Sequence, residues 1–284
     1  MEKISPRKIY GVLGFPAKHS LSPLMHNAAF KTLKINARYK IFEAEPKELK
    51  NFICSLSENH IFGLNVTVPY KEKVIPFLDK ISDEARLIGA VNTIKLRGDK
   101  LEGFNTDGEG FIRHLRKDLR FNPNAKSIAL IGAGGAARAI SVYLAKAKAK
   151  AITIYDIDKS KAQGLVKHLK ANFNKIRFEV AHSVAGLKAK EAALLINATP
   201  RGMKEKDPEI IDNKFLPKNL LVYDLIYNPA QTKLLKLAKA QGCRTSNGLG
   251  MLLYQGAASF ELWTGKRAPI GVMRKALNKH LALI

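Results

Sequence analysis

One segment restricts the fold more than any other: Ile128-Ala-Leu-Ile-Gly132-Ala-Gly134-Gly-Ala-Ala137-Arg138. An apolar, strand-forming run passes through a G-x-G-x-x-A turn straight into a helical pattern, which is how a parallel βαβ unit begins. Each small residue has a task. Gly132 permits the tight turn, Gly134 lets the backbone approach a pyrophosphate, and Ala137 lets the helix pack closely on the strand. The free N–H groups and positive dipole end of the helix then favour a phosphate. A glycine pattern alone is weak evidence; here the flanking elements agree with it. The next strand ends in Tyr155-Asp156-Ile157-Asp158. Asp156 either accepts hydrogen bonds from the ribose hydroxyls of a nucleotide or caps the following helix, a role for which Asp158 competes.

Short β-rich runs alternate with helical patterns along the rest of the chain, so the fold class is α/β with mainly parallel sheets. The 284 residues suit two domains. In the first part, strands are expected at Lys8–Gly14, Tyr39–Glu43, Gly63–Val68 and Val91–Lys95. Ser22-Pro23 opens a helix, with Ser22 as cap and an apolar stripe of Leu24, Ala28, Phe30 and Leu33. A helix from Asp107 to Leu119 stops before Asn122-Pro123, a break suited to a domain junction. Further strands are expected at Ile152–Asp156, Arg177–Val180, Leu194–Asn197 and Leu220–Leu225, and two closing helices at Leu249–Trp263 and Ile270–Leu283.

Lys and Arg total 48 against 24 Asp and Glu, a net charge of +24. The lysines are spread over nearly every helix, with no nucleic-acid-binding motif beside them, so they read as a solvated face and no nucleic-acid partner is expected. Cys54 and Cys243 stand far apart and read as buried thiols; neither a disulfide framework nor a metal site is expected. Charge and proline interrupt the segment Met1–Tyr10 where a leader peptide would need an apolar core, and no run approaches the ~20 apolar residues that span a bilayer. A cytoplasmic protein with no membrane partner is the expectation.

Three polar clusters stand at the ends of elements in the first part. In His19-Ser20-Leu-Ser22-Pro-Leu-Met-His26-Asn27, two hydroxyls flank a helix start, a natural carboxylate pocket. In Asn65-Val-Thr67-Val-Pro69-Tyr-Lys71, Asn65 and Thr67 share a strand face, Pro69 stops the strand, and Lys71 is left near its carboxyl end. Lys71 reads equally as a solvated lysine. Asn92 and the run Gly103-Phe-Asn105-Thr-Asp107-Gly108 make the third cluster, in which Asp107 either caps a helix or serves a site.

HSLSPLMHN, NVTVPYK, VNT, GFNTDG, the glycine run and the late YQGAASFELWTG occur in this order across nearly the whole chain, which resembles the shikimate dehydrogenase family. The resemblance implies two α/β domains: a substrate domain of residues 1–107 plus 248–284, and a Rossmann-like dinucleotide-binding domain of residues 108–247, with the C-terminal helices returning to the first. It implies reversible reduction of 3-dehydroshikimate to shikimate by hydride transfer from a nicotinamide cofactor, in aromatic amino acid biosynthesis, by a monomer or homodimer. Lys71 and Asp107 would form the catalytic pair. Ser20 and Ser22 would bind the substrate carboxylate; Asn65, Thr67, Asn92, Gln255 and Tyr227 would hold the rest of it. Gly132, Ala133, Gly134, Gly135, Ala136, Asp156, Thr199, Leu225 and Gly248 would bind the cofactor. The chain departs from the family's usual Asn-Arg-Thr, whose arginine meets the 2′-phosphate of NADP; Asp156-Ile157-Asp158 stands there instead. A carboxylate prefers a free 2′-hydroxyl, so NAD is expected over NADP, although Arg138, Lys159 and Lys161 stand close by in sequence. A quinate-preferring member of the family is the alternative, with a non-catalytic nucleotide-binding regulator and a basic nucleic-acid-binding protein further off.

Overall fold

The computed structural model describes residues 7–281. The first six residues of the N-terminal segment, and Ala282 and Leu283 of the last expected helix, lie outside the described residues. Two units form: one from the chain up to Gly110 and from Leu252 onward, the other from Phe111–Met251.

The first unit opens with β1 (Lys8–Gly14), α1 (Ser22–Thr32), β2 (Ala37–Glu43), α2 (Leu49–Cys54) and β3 (Ile61–Val66), then β4 (Lys80–Ile81), α3 (Asp83–Ile88), β5 (Thr93–Arg97), β6 (Lys100–Phe104) and the start of α4 (Asp107–Lys117). Its sheet has the order β2-β1-β3-β5-β6-β4. β1 runs parallel to β2 and β3, but β5 is antiparallel to both β3 and β6. Two of the five pairings in this sheet are thus antiparallel, with Gly98, at φ +62°, letting the chain reverse between β5 and β6 as a tight hairpin. α1 buries Ser22, Met25, His26, Ala29 and Phe30, the i, i+3, i+4, i+7, i+8 stripe of a helix that begins at Ser22. Leu24 is instead exposed and Leu33 follows the helix end. Nor is Ser22 the cap: its own N–H donates to Ser20 Oγ at 3.3 Å. Cys54 is exposed and Cys243 buried.

The second unit contains β7 (Ser127–Ile131), α5 (Gly135–Lys146), β8 (Ala151–Tyr155), α6 (Lys159–Asn172), β9 (Arg177–Val180), β10 (Leu194–Asn197), β11 (Leu221–Asp224), α7 (Lys233–Ala240), β12 (Arg244–Ser246) and the start of α8 (Leu249–Thr264). The order is β12-β11-β10-β7-β8-β9 and every pair is parallel. That is the doubly wound order, reversing direction between β7 and β10. The remainder of α8, with α9 (Ile270–Leu281), belongs to the first unit, where α9 packs on α1. Trp263 of α8 packs against Gly63 of β3, where a Cβ would collide with the indole, and its Nε1 donates to Ile94 O at 2.9 Å. Among the described residues no helix is long and apolar enough to cross a membrane.

Candidate active site

β1 and β3 are parallel neighbours, so their chains leave the sheet side by side at the carboxyl edge, where open α/β sheets bind ligands. Phe15 N donates to Val68 O at 3.1 Å, and a Cβ on Gly14 would collide with the Thr67 methyl. The loop after β1 is shaped by Glu43 at the end of β2, whose Oε1 accepts from Ala17 N at 2.6 Å and Lys18 N at 3.2 Å. The bond from Ala17 is the main reason that this carboxyl lies below its ordinary range. The loop delivers the half-buried Ser20 and the buried Ser22 to the head of α1. Thr67, just past the end of β3, is half-buried.

Lys71 and Asp107 meet. Nζ lies 2.5 Å from Oδ2, with the two side chains only 15% and 6% exposed. The other Asp107 oxygen accepts from Asn92 Nδ2 at 2.8 Å. Val91 N donates to Lys71 O at 2.7 Å, which pins the loop after β3 beside Asn92. Asp107 opens α4 without capping it, since Asn105 Oδ1 accepts the Asp107 N–H at 3.0 Å. Its carboxylate is therefore left for Lys71 and Asn92. An ammonium has three donors and no acceptor; one is spent on Asp107, so the others can serve a substrate oxygen.

Behind this pair lies a buried polar network of which the sequence reading found only Asn65, Asn92 and Gln255. Asn92 Oδ1 accepts from Thr106 N at 2.8 Å and Thr93 Oγ1 at 2.9 Å; Nδ2 also reaches Thr106 Oγ1 at 3.0 Å and Gln255 Oε1 at 3.4 Å. Asn65 Oδ1 accepts from the Tyr39 hydroxyl at 2.8 Å, and Nδ2 reaches Ser259 Oγ at 2.9 Å and Thr93 Oγ1 at 3.1 Å. Tyr39, Thr93, Thr106 and Ser259 were missed. A visible sign was Gln255 and Ser259 one turn apart in a mostly apolar helix.

In the second unit the expected cofactor residues gather along the carboxyl edge. Gly132 follows β7 at φ +109°, and a Cβ there would lie 3.1 Å from the Thr199 methyl. Thr199 is held by Asn197 Oδ1, which accepts its N–H at 3.1 Å and its hydroxyl at 2.7 Å. Leu225 N donates to Asn197 O at 2.9 Å, and a Cβ on Gly248 would run into the Leu225 carbonyl. Tyr227, two residues beyond Leu225, is half-buried. A nucleotide's pyrophosphate fits this edge. A Cβ on Gly134 would meet no described atom within 4 Å, and α5 starts at Gly135 and Ala136 with no side chain capping it, so N–H groups are available beside buried Ala133.

A doubly wound sheet in one unit, and in the other a lysine–aspartate pair nearly shut away from water among amide and hydroxyl side chains, define a pyridine-nucleotide-dependent dehydrogenase. Residues 12–94 match the shikimate dehydrogenase substrate-binding domain, and residues 248–277 the shikimate 5′-dehydrogenase C-terminal domain. Shikimate dehydrogenase (NADP(+)) of Desulforamulus reducens is 45% identical over 97% of this chain and 96% of its own; that of Methanopyrus kandleri is 43% identical over 96% of each. The shikimate 5-dehydrogenase of Thermus thermophilus, solved in complex with NADP(H) and shikimate, superposes with a TM-score of 0.85 at 33% identity, over 96% of this chain and 99% of that one. The chain belongs to the shikimate dehydrogenase family.

These relatives correct the expectation that Asp156 selects NAD, since both curated ones are named for NADP(+). The geometry gives the reason. Asp156 Oδ2 accepts from Ala133 N at 2.7 Å and Oδ1 from Asp158 N at 2.9 Å, so the carboxylate braces the glycine turn instead of standing free to repel a phosphate. Asp158, not Asp156, caps α6, accepting from Ser160 N and Lys161 N. Around them Ile157 and Lys159 are exposed.

Proposed function

We propose that this chain reversibly reduces 3-dehydroshikimate to shikimate with NADPH, in the route to aromatic amino acids. One observation carries the reading: the 2.5 Å Lys71–Asp107 pair, nearly closed to water and braced through Asn92. The nucleotide, when bound, supplies the hydride that reduces the substrate carbonyl. Lys71 supplies the proton that the carbonyl oxygen then needs, and takes it back in the reverse direction; Asp107 keeps Nζ on that oxygen and accepts from the neighbouring hydroxyl. Ser20 and Ser22 hold the substrate carboxylate at the head of α1. Asn65, Thr67, Asn92 and Gln255 meet the ring hydroxyls, one of which replaces the 3.4 Å contact between Asn92 and Gln255, the longest that Asn92 makes. Tyr227 completes the substrate set. Gly132, Ala133, Gly134, Gly135, Ala136, Thr199, Leu225 and Gly248 hold the nucleotide, and Lys159 and Lys161 supply positive charge for its 2′-phosphate.

The test is a four-way comparison of shikimate and quinate against NADP and NAD. Shikimate with NADP should give the highest kcat/KM. Faster turnover of quinate, or no oxidation of either acid, would overturn the reading.

A further inference from the structure

The network behind the catalytic pair has a hub that the proposed reaction does not use. Ser259 is fully buried on α8, one turn beyond Gln255. Its Oγ lies 2.9 Å from Asn65 Nδ2, 2.9 Å from Thr93 Oγ1, 3.1 Å from Thr106 Oγ1 and 3.0 Å from Gln255 O. It touches β3, β5 and the segment before α4, which carry or adjoin the inner residues of the second and third polar clusters.

Counting protons gives these contacts a direction. Thr106 N can only donate, so it fixes Asn92 with Oδ1 toward Thr106 and Nδ2 toward Asp107. The second Nδ2 hydrogen of Asn92 goes to Thr106 Oγ1 at 3.0 Å, so that hydroxyl accepts there and turns its single proton either to Ser259 Oγ at 3.1 Å or to Asn92 Oδ1 at 3.2 Å, an oxygen that already accepts from Thr106 N and Thr93. Thr93 already donates to Asn92 Oδ1, and Asn65 Nδ2 points two hydrogens at the cluster. Ser259 Oγ accommodates both demands, accepting from Thr106 and Asn65 while sharing its own proton between the Gln255 carbonyl and Thr93 Oγ1. The chain Ser259, Thr106, Asn92, Asp107, Lys71 is thereby consistent at every link. A buried donor stripped of its acceptor costs more than an ordinary hydrogen bond is worth, so the hub governs how firmly Asn92 and Asp107 are held.

We propose that Ser259 is a positioning residue: its hydroxyl is the shared acceptor that orients Thr106 and Asn65, and through Thr106 and Asn92 it aims Asp107 and Lys71 at the substrate. The inference rests on the catalytic role assigned to Lys71 and Asp107. Ser259→Ala should lower kcat about tenfold, the scale of one misplaced hydrogen bond, with KM for NADP and the calorimetric affinity for NADP within twofold of wild type. Thr106→Val, which keeps the shape and removes the hydroxyl, should lose a similar amount, and Thr106→Ser should recover it to within about threefold. Because both lesions cut one circuit, the double variant should lose roughly ten- to twentyfold and not the hundredfold product. Should Ser259→Ala be insoluble, Ser259→Cys, near in size but a poor acceptor, gives the same reading. Lys71→Ala serves as control: if it turns over normally, the reaction assignment fails and this proposal with it. If Lys71→Ala is inactive while Ser259→Ala keeps wild-type kcat, or if the double loss is the full product, the positioning role alone is refuted.

Discussion

His26 should make the first unit acid-sensitive in a way that one substitution removes. The ring is fully buried on α1, stacked 4.3 Å from Tyr39 at 2°, and among the described residues neither ring nitrogen has a hydrogen-bond partner. Burial with nothing to share a charge pushes its pKa down to about 3. The unfolded chain binds a proton at about 6.5, so between those values the unfolded state holds one more proton and stability falls as pH falls. At pH 7 the loss is small; from pH 7 to pH 5 it grows by about 2 kcal/mol from this group alone. Since pH 5 stands well above the folded-state value, that figure depends almost entirely on the unfolded one. The variant is His26→Leu, and the probe is Trp263, the single tryptophan, whose ring centre is 5.5 Å from that of His26. Urea unfolding followed by its fluorescence at pH 7 and pH 5 should show wild type losing about 2 kcal/mol more than His26→Leu over this interval. The other histidines and the carboxylates cancel in the difference. Equal losses in the two proteins would refute the claim that His26 is held neutral.

Four further outcomes are expected. Lys71→Ala should lower kcat by roughly two to four orders of magnitude with a smaller change in KM, as steady-state rates would show. Ser20→Ala should weaken shikimate binding in isothermal titration while NADP affinity holds; unchanged shikimate affinity would place the carboxylate elsewhere. Asp156→Ala should raise the Kd for NADP about tenfold by releasing Ala133 N from its brace, and tighter binding of NADP by this variant would show that repulsion is what its carboxylate contributes. Gly63→Ala should destabilise the first unit by about 1–3 kcal/mol, because a methyl there meets the Trp263 ring while the indole is tied to Ile94 O; urea unfolding measures it.

Of the strands that the sequence shows most clearly, β1 and β10 are buried along most of their length, while β9 is a partly exposed edge strand. Lys8–Gly14, Arg177–Val180 and Leu194–Asn197 coincide with observed strands, and the apolar run into Gly132 marks its turn because both strand and turn are encoded locally. β6 stayed hidden, since Lys100, Glu102 and Gly103 dilute its pattern and what makes it a strand is pairing with β5. Helix α1 was legible but its face was not: the stripe follows from where the first turn begins, one residue away from the expected cap. At the site, Lys71 and Asp107 are legible as residue types at element ends, whereas their meeting depends on Asn105 taking the capping duty. Asp156 shows the opposite failure. Its position suggested a preference for NAD, and only the folded turn reveals that each carboxylate oxygen accepts a backbone N–H.

The first unit takes its sheet from the early chain and its covering helices from the end, with the whole second unit translated in between. On the ribosome the nucleotide unit is complete once Met251 has emerged, while the first unit still waits for Phe260 and Trp263 to cover Tyr10, His26 and Phe30. Domains generally fold in the order in which they are synthesised, and here the part that begins first finishes last. A chain ending just before Ser259 would hold every strand of the nucleotide sheet but leave the aromatic face of the first unit uncovered. Catalytic competence thus waits for α8 to be made, and the aromatic face is the surface that chaperones would need to shield until then.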